Sequence, residues 1–87
     1  MIERQERIHL ESGLQARQAK LFVQKANQFH SYVSIEFNGK KGNAKSIMSV
    51  MTLALHQNSL VRLTAHGDDE KYALETLTAF IKSKKID

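Results

Sequence analysis

Apolar residues recur along the chain at two periods, and the switches between them mark out seven elements. From Ile2 to Leu10 the apolar positions Ile2, Ile8 and Leu10 share one parity, but Arg4 and Glu6 interrupt them. The reading is a strand with a poorly committed start, broken by Ser12-Gly13-Leu14. From Ala16 to Phe29 the set Ala16, Ala19, Phe22, Val23 and Ala26 follows the three-and-four spacing of one helix face. Gln15 falls at or near the N-cap, where serine, threonine or aspartate would serve better, so something other than capping accounts for it. Tyr32 to Phe37 then alternates cleanly, with Val33, Ile35 and Phe37 on one face. Asn38-Gly39 suits the positive φ angles of a tight hairpin turn, and Lys40 to Ala44 returns as the partner strand.

Ser46 reads as the N-cap of a short helix over Ile47 to Leu53, with Val50 and one methionine turned inward. Asn58-Ser59 turns the chain into a strand from Leu60 to His66, with Val61, Leu63 and Ala65 on its inner face. Gly67 leads into Asp68-Asp69-Glu70, three acids suited to the positive end of a helix dipole. Ala73, Leu74, Leu77, Phe80 and Ile81 form that helix's stripe, and Lys82, Lys84 and Lys85 suit its C-terminal end. The order βαββαβα lacks the regular βαβ repeat of a parallel sheet, so the expectation is one α+β layered domain over residues 1–87.

Composition narrows the function classes. Hydrophobic residues at 41% and charged residues at 25% place the chain among folded globular domains and exclude a disordered one. There is no cysteine, which removes disulfides, thiolate metal sites and cysteine nucleophiles. No apolar run approaches a membrane span, and the charged start Met1-Ile2-Glu3-Arg4-Gln5-Glu6 lacks a signal-peptide core, so a cytoplasmic location is expected. The net charge of +4 comes entirely from the first half: residues 1–45 hold eight basic and four acidic residues, residues 46–87 five of each. That excess suits an anionic partner but is modest for a nucleic-acid binder, and direct nucleic-acid binding is not expected.

The four histidines, His9, His30, His56 and His66, show no helical metal-site spacing and no accompanying carboxylate motif. Gly39 and Gly42 belong to a hairpin, not to a phosphate loop, and no Ser/His/Asp arrangement is present. Residue types alone therefore point to a small domain without a catalytic, metal or cofactor signature.

The segment Ser12-Gly13-Leu14-Gln15-Ala16-Arg17-Gln18-Ala19 carries more. It resembles the active-site loop of HPr, the histidine-containing phosphocarrier family of the bacterial sugar phosphotransferase system, whose usual form is Gly, an aliphatic residue, His, Ala, Arg, Pro, Ala. Lys45-Ser46-Ile47-Met48-Ser49-Val50-Met51 is similar to the family's second signature, the regulatory serine and its short helix. Gly67-Asp68-Asp69-Glu70 followed by Ala73-Leu74 resembles the start of its last helix, so the likeness spans essentially the whole chain. It implies an open-faced β-sandwich, a four-stranded antiparallel sheet with three helices on one face.

The departures bear on function. Gln15 stands where the family's phosphocarrier has histidine, and an amide lacks the imidazole's nucleophilic lone pair. Phosphate relay from phosphoenolpyruvate is therefore not expected. Gln18 replaces the proline after the arginine, and Lys20 stands where the family usually has a small residue. A branch of the family in bacilli carries glutamine at this position and keeps only the regulatory serine. By that resemblance Ser46 is the substrate of HPr kinase/phosphorylase, and the phosphorylated form is a corepressor of catabolite control protein A, a LacI-type repressor in carbon catabolite repression. The implied partner surface comprises Gln15, Arg17, Lys20, Lys45, Ile47, Met48 and Met51 around Ser46. Rival readings are a diverged HPr-like module that docks onto a metabolic enzyme, and a phosphocarrier using His9 or His56. The weakly hydrophobic first strand also offers an exchangeable segment, a route to a homodimer.

Overall fold

The computed structural model describes residues 1–84. In chain order the elements are β1 (Ile2–Arg7), α1 (Ala16–Ala26), β2 (Tyr32–Phe37), β3 (Lys40–Asn43), α2 (Ile47–Thr52), β4 (Leu60–His66) and α3 (Glu70–Lys82). Lys85, assigned from the sequence to the end of the last helix, lies outside the described residues.

The strands form one antiparallel sheet in the order β1-β4-β2-β3, so the last strand slots between the first and the second. Register fixes which side chains share a face. Val33 pairs with Ala65 and Ile35 with Leu63, and these four are buried beneath the helices. Tyr32, Arg62 and His66 lie exposed on the opposite face, which carries no helix among the described residues. The result is the open-faced α+β sandwich that the resemblance implies. The Asn38-Gly39 turn has φ of 54° and 82°, the left-handed pair that a two-residue hairpin needs.

The core draws on every helix. In α1, Ala19, Phe22, Val23 and Ala26 are buried; in α3, Ala73, Leu74, Leu77, Phe80 and Ile81. The Phe22 and Phe80 rings meet edge to face, with centroids 5.9 Å apart and planes at 63°. Each such buried aromatic or aliphatic side chain contributes roughly 1.5–3 kcal/mol over leaving it in water. Thr78 is the exception in α3, since its buried hydroxyl has no hydrogen-bond partner among the described residues.

Several boundaries differ from the sequence reading, each for a tertiary reason. The first strand ends at Arg7 rather than Leu10, because His9 N–H leaves the sheet to donate to Ile81 O at 2.8 Å. Ile8 and Leu10 still enter the core. Helix α1 stops at Ala26 rather than Phe29, where the Asn27 amide Nδ2 and backbone N–H both donate to Val23 O at 2.9 Å. Ala16, placed by spacing in the apolar stripe, is exposed at the helix start. Strand β3 stops at Asn43, although Ala44 is buried and its N–H donates to Val33 O.

Helix α3 begins differently from a simple dipole arrangement. Asp69 is the N-cap residue but makes no side-chain cap. Its carboxylate accepts from His30 N–H, Ser31 N–H and the Ser31 hydroxyl, stapling α3 to the segment before β2. The Ser31 hydroxyl, then the His30 amide, hold the Asp69 carboxyl at about 2, below its usual range. Glu70 accepts from Gly67 N–H and pairs with the N-terminal ammonium at 3.1 Å, and these contacts lower its pKa also.

Candidate functional site

The first part of the site is the turn entering α1. Gly13 adopts φ of 66° and donates its N–H to Leu10 O at 3.0 Å. Leu14 N–H donates to Leu55 O at 3.1 Å, which lays this turn against the segment leaving α2. Gln15 is the N-cap residue of α1, yet its side chain makes no cap. Its Nε2 donates instead to Leu55 O at 3.0 Å, so one carbonyl receives both the Leu14 backbone and the Gln15 side chain. The amide is thus engaged in that contact and not in capping. Ala16 follows with φ of 39°, a left-handed conformation that costs a residue with a Cβ roughly 1–2 kcal/mol.

Helix α2 forms the second part. Ser46 is its N-cap, and its Oγ accepts from Ser49 N–H at 3.3 Å. At 100° per residue, Ile47, Met48 and Met51 fall within one arc of about 100°, and Val50 and Leu53 fall outside it. Burial follows this geometry: Val50 is fully buried, whereas Ile47, Met48 and Met51 are 39%, 72% and 41% exposed. The expectation that one methionine packs inward is therefore corrected. Both methionines share the outer arc, and Leu53 supplies the second inward contact.

The basic residues are placed unequally. Arg17 and Lys20, three apart on α1, share a helix face and are both exposed. The first turn of α1 holds no acidic residue, and Arg17 makes no ion pair among the described residues. Lys45 is half-buried and its Nζ donates to Phe29 O at 2.6 Å. The Lys45 backbone is held as well, its N–H by Asn43 Oδ1 at 2.9 Å and its carbonyl by Asn27 Nδ2 at 3.2 Å. The approach to Ser46 is thus pinned from three sides.

The family profile described as the PTS HPr component phosphorylation site matches residues 2–83. The chain belongs to the HPr family. It is similar to the HPr-like protein Crh of Halalkalibacterium halodurans, 51% identical over 97% of this chain and 100% of the relative. Among solved structures it is similar to the phosphocarrier protein HPr of Bacillus anthracis, at 46% identity and a TM-score of 0.91, covering 92% of this chain and 95% of that one. It is also similar to the crystal structure of Crh from Bacillus subtilis, a swapped dimer, at 47% identity and a TM-score of 0.77, covering 100% of both chains.

Within the HPr fold, several supporting residues escaped the sequence reading. The Leu55 carbonyl is 40 positions from Gln15, and no linear signal joins them. Asn27 likewise reaches Lys45 across 18 positions. Asn43 was legible in principle, since an asparagine side chain accepting from the N–H two residues on is a recurrent turn. The fold also gathers His30, Asp68 and Asp69 so that one ligand atom of each lies within 4.8 Å of the others, a grouping hidden from linear spacing. Asp69 is already committed there to Ser31 and His30.

Proposed function

We propose that this HPr-family protein is a phosphorylation-switched regulator of carbon catabolite repression. Ser46 would be the site modified by HPr kinase/phosphorylase, and a catabolite control protein A type repressor the partner. The observation that carries the reading is Ser46 at the head of α2, directly before the exposed Ile47, Met48 and Met51. A phosphoserine brings about −1.5 to −2 charges and three acceptor oxygens. No acidic residue in the first turn of α2 opposes it, and Ser49 N–H already faces the Ser46 oxygen. Charge and an adaptable apolar patch would then sit side by side, and methionine suits such a patch because its unbranched side chain repacks readily. Arg17 offers a planar guanidinium for a carboxylate of the repressor. Relay of phosphate from phosphoenolpyruvate is absent in this reading. The position holds Gln15, whose amide is not a nucleophile and whose Nε2 is occupied by Leu55 O. The protein would act in the cytoplasm, as a single domain and without a catalytic residue or cofactor.

A homodimer is part of the same proposal. Glu6 lies opposite Val61 and Arg4 opposite Leu63, so β1, an edge strand, turns two charges toward the helices. Of its three helix-facing positions only Ile2 is apolar, and exchange of such an edge segment with a second copy is a low-cost route to a dimer. The swapped dimer of the Bacillus subtilis relative supports this.

Surface plasmon resonance on an immobilised repressor tests the reading. Protein phosphorylated by the kinase should bind, unmodified protein should not, and Met48→Ala should weaken binding about tenfold, as loss of an interface anchor does. Phosphate-independent capture of a metabolic enzyme, with no repressor binding, would favour the docking-module alternative.

A further inference from the structure

The open face of the sheet, which adjoins the Ser46 segment at Lys45, carries a basin of about 710 Å³. That volume lies within the range of small-molecule sites. Its floor is laid by cross-strand neighbours: Tyr32 opposite His66, and Ser34 between Asn43 and Thr64. Lys41 and Lys45 stand at its margin, and none of the lining residues is a carboxylate. Acids do border its His30 end: Asp68 and Asp69 group with His30, Asp69 accepting from Ser31, and Glu70 pairs with the Met1 ammonium at 3.1 Å. Glu36, across from Lys41, is drawn toward Arg62 at 4.0 Å, and Glu3 sits on β1 past Thr64.

Each part has a distinct chemical use. The Tyr32 side chain is uncovered, with the residue 81% exposed, and offers a flat ring for stacking. Ser34, Thr64 and Asn43 provide hydroxyl and amide groups along one row, suited to sugar hydroxyls. An ammonium has three donors, and Phe29 O takes one of those on Lys45, fixing the cation in place while leaving two to give. We infer that this basin binds a nucleoside phosphate, its base on Tyr32, its ribose over the Ser34 row and its phosphate between Lys41 and Lys45. A nucleic-acid strand fits less well, because Glu3 and Glu36 interrupt any continuous basic track across the sheet.

The test is a titration of the isotope-labelled full chain with AMP, ribose 5-phosphate and inorganic phosphate in turn, followed by amide chemical shifts. Shifts should cluster at Tyr32, Ser34, Lys41, Asn43, Lys45 and Thr64. AMP should bind about fivefold or more tightly than ribose 5-phosphate, the increment of one base–aromatic stack. Tyr32→Ala should erase that preference and Tyr32→Phe retain it. Lys41→Gln should weaken all three ligands, AMP about tenfold. Both positions are exposed, so these variants keep the fold. The assignment is overturned by the absence of shifts at millimolar AMP, by equal affinity for the three ligands, or by shifts centred on Gln15–Arg17 instead.

Discussion

The close approach of Gly13 to the segment after α2 makes a quantitative prediction. A Cβ at position 13 would lie 2.3 Å from Leu55 O and 2.7 Å from His56 Cα. Both obstacles are backbone, so they cannot swing away as a side-chain tip does. Admitting the methyl group of Gly13→Ala requires the 12–15 turn to lift off Leu55, and Leu55 O is where Leu14 N–H and Gln15 Nε2 both donate. The left-handed φ of 66° adds roughly 1–2 kcal/mol of strain for alanine. The two hydrogen bonds add about 0.5–1.5 kcal/mol each, for a total near 3 kcal/mol. Gly39→Ala is the matched control, with φ of 82° and no atom within 4 Å of its added Cβ, so it carries the strain alone. Urea and thermal unfolding followed by far-UV circular dichroism should show Gly13→Ala less stable than Gly39→Ala by about 2 kcal/mol, about 8–16 °C in Tm for a domain of this size. Indistinguishable losses for the two variants would refute the claim that Leu55 anchors the Gln15 turn.

Asp69 has a folded-state pKa of about 2 against an ordinary 3.8, so its stabilising effect is present above about pH 4 and is lost as pH falls toward 2. The Tm difference between the parent and Asp69→Asn should therefore be constant from pH 5 to 7 and shrink toward zero near pH 2; a pH-independent difference would contradict the staple to Ser31 and His30. Thr78→Val removes a buried hydroxyl without a partner among the described residues and should raise stability by about 1 kcal/mol in the same unfolding assay. Glu6→Val replaces a charge on the helix-facing side of β1, opposite Val61, and should stabilise the chain by about 1 kcal/mol while lowering the dimer fraction in size-exclusion chromatography.

Elements whose side chains meet neighbours within their own period were legible from the sequence. Val33, Ile35 and Phe37 alternate because β2 is half-buried along its length, and Ala19, Phe22, Val23 and Ala26 repeat because α1 lies on one apolar stripe. The Asn38-Gly39 turn and the Ser46 cap were also readable, since both are set by local backbone geometry. Features decided by tertiary contacts were not. The acids before α3 read as a dipole arrangement, yet Asp69 reaches back 38 positions to Ser31. The end of β1 depends on Ile81 O, and the setting of Gln15 on Leu55 O, neither of which leaves a trace in spacing. At α2 the number of apolar residues exceeded what one face of a six-residue helix can bury, and it is their burial in the fold that shows both methionines outside.

The most direct test of the Ser46 switch is intact-mass spectrometry after incubation with HPr kinase and ATP, beside Ser46→Ala, with a parallel incubation in phosphoenolpyruvate and enzyme I. One phosphate on the parent with ATP, none on Ser46→Ala, and none on either from phosphoenolpyruvate is the expected pattern. A parent that gains no phosphate from ATP, or gains an acid-labile one from phosphoenolpyruvate, would contradict a regulator switched at Ser46 and without a phosphocarrier role.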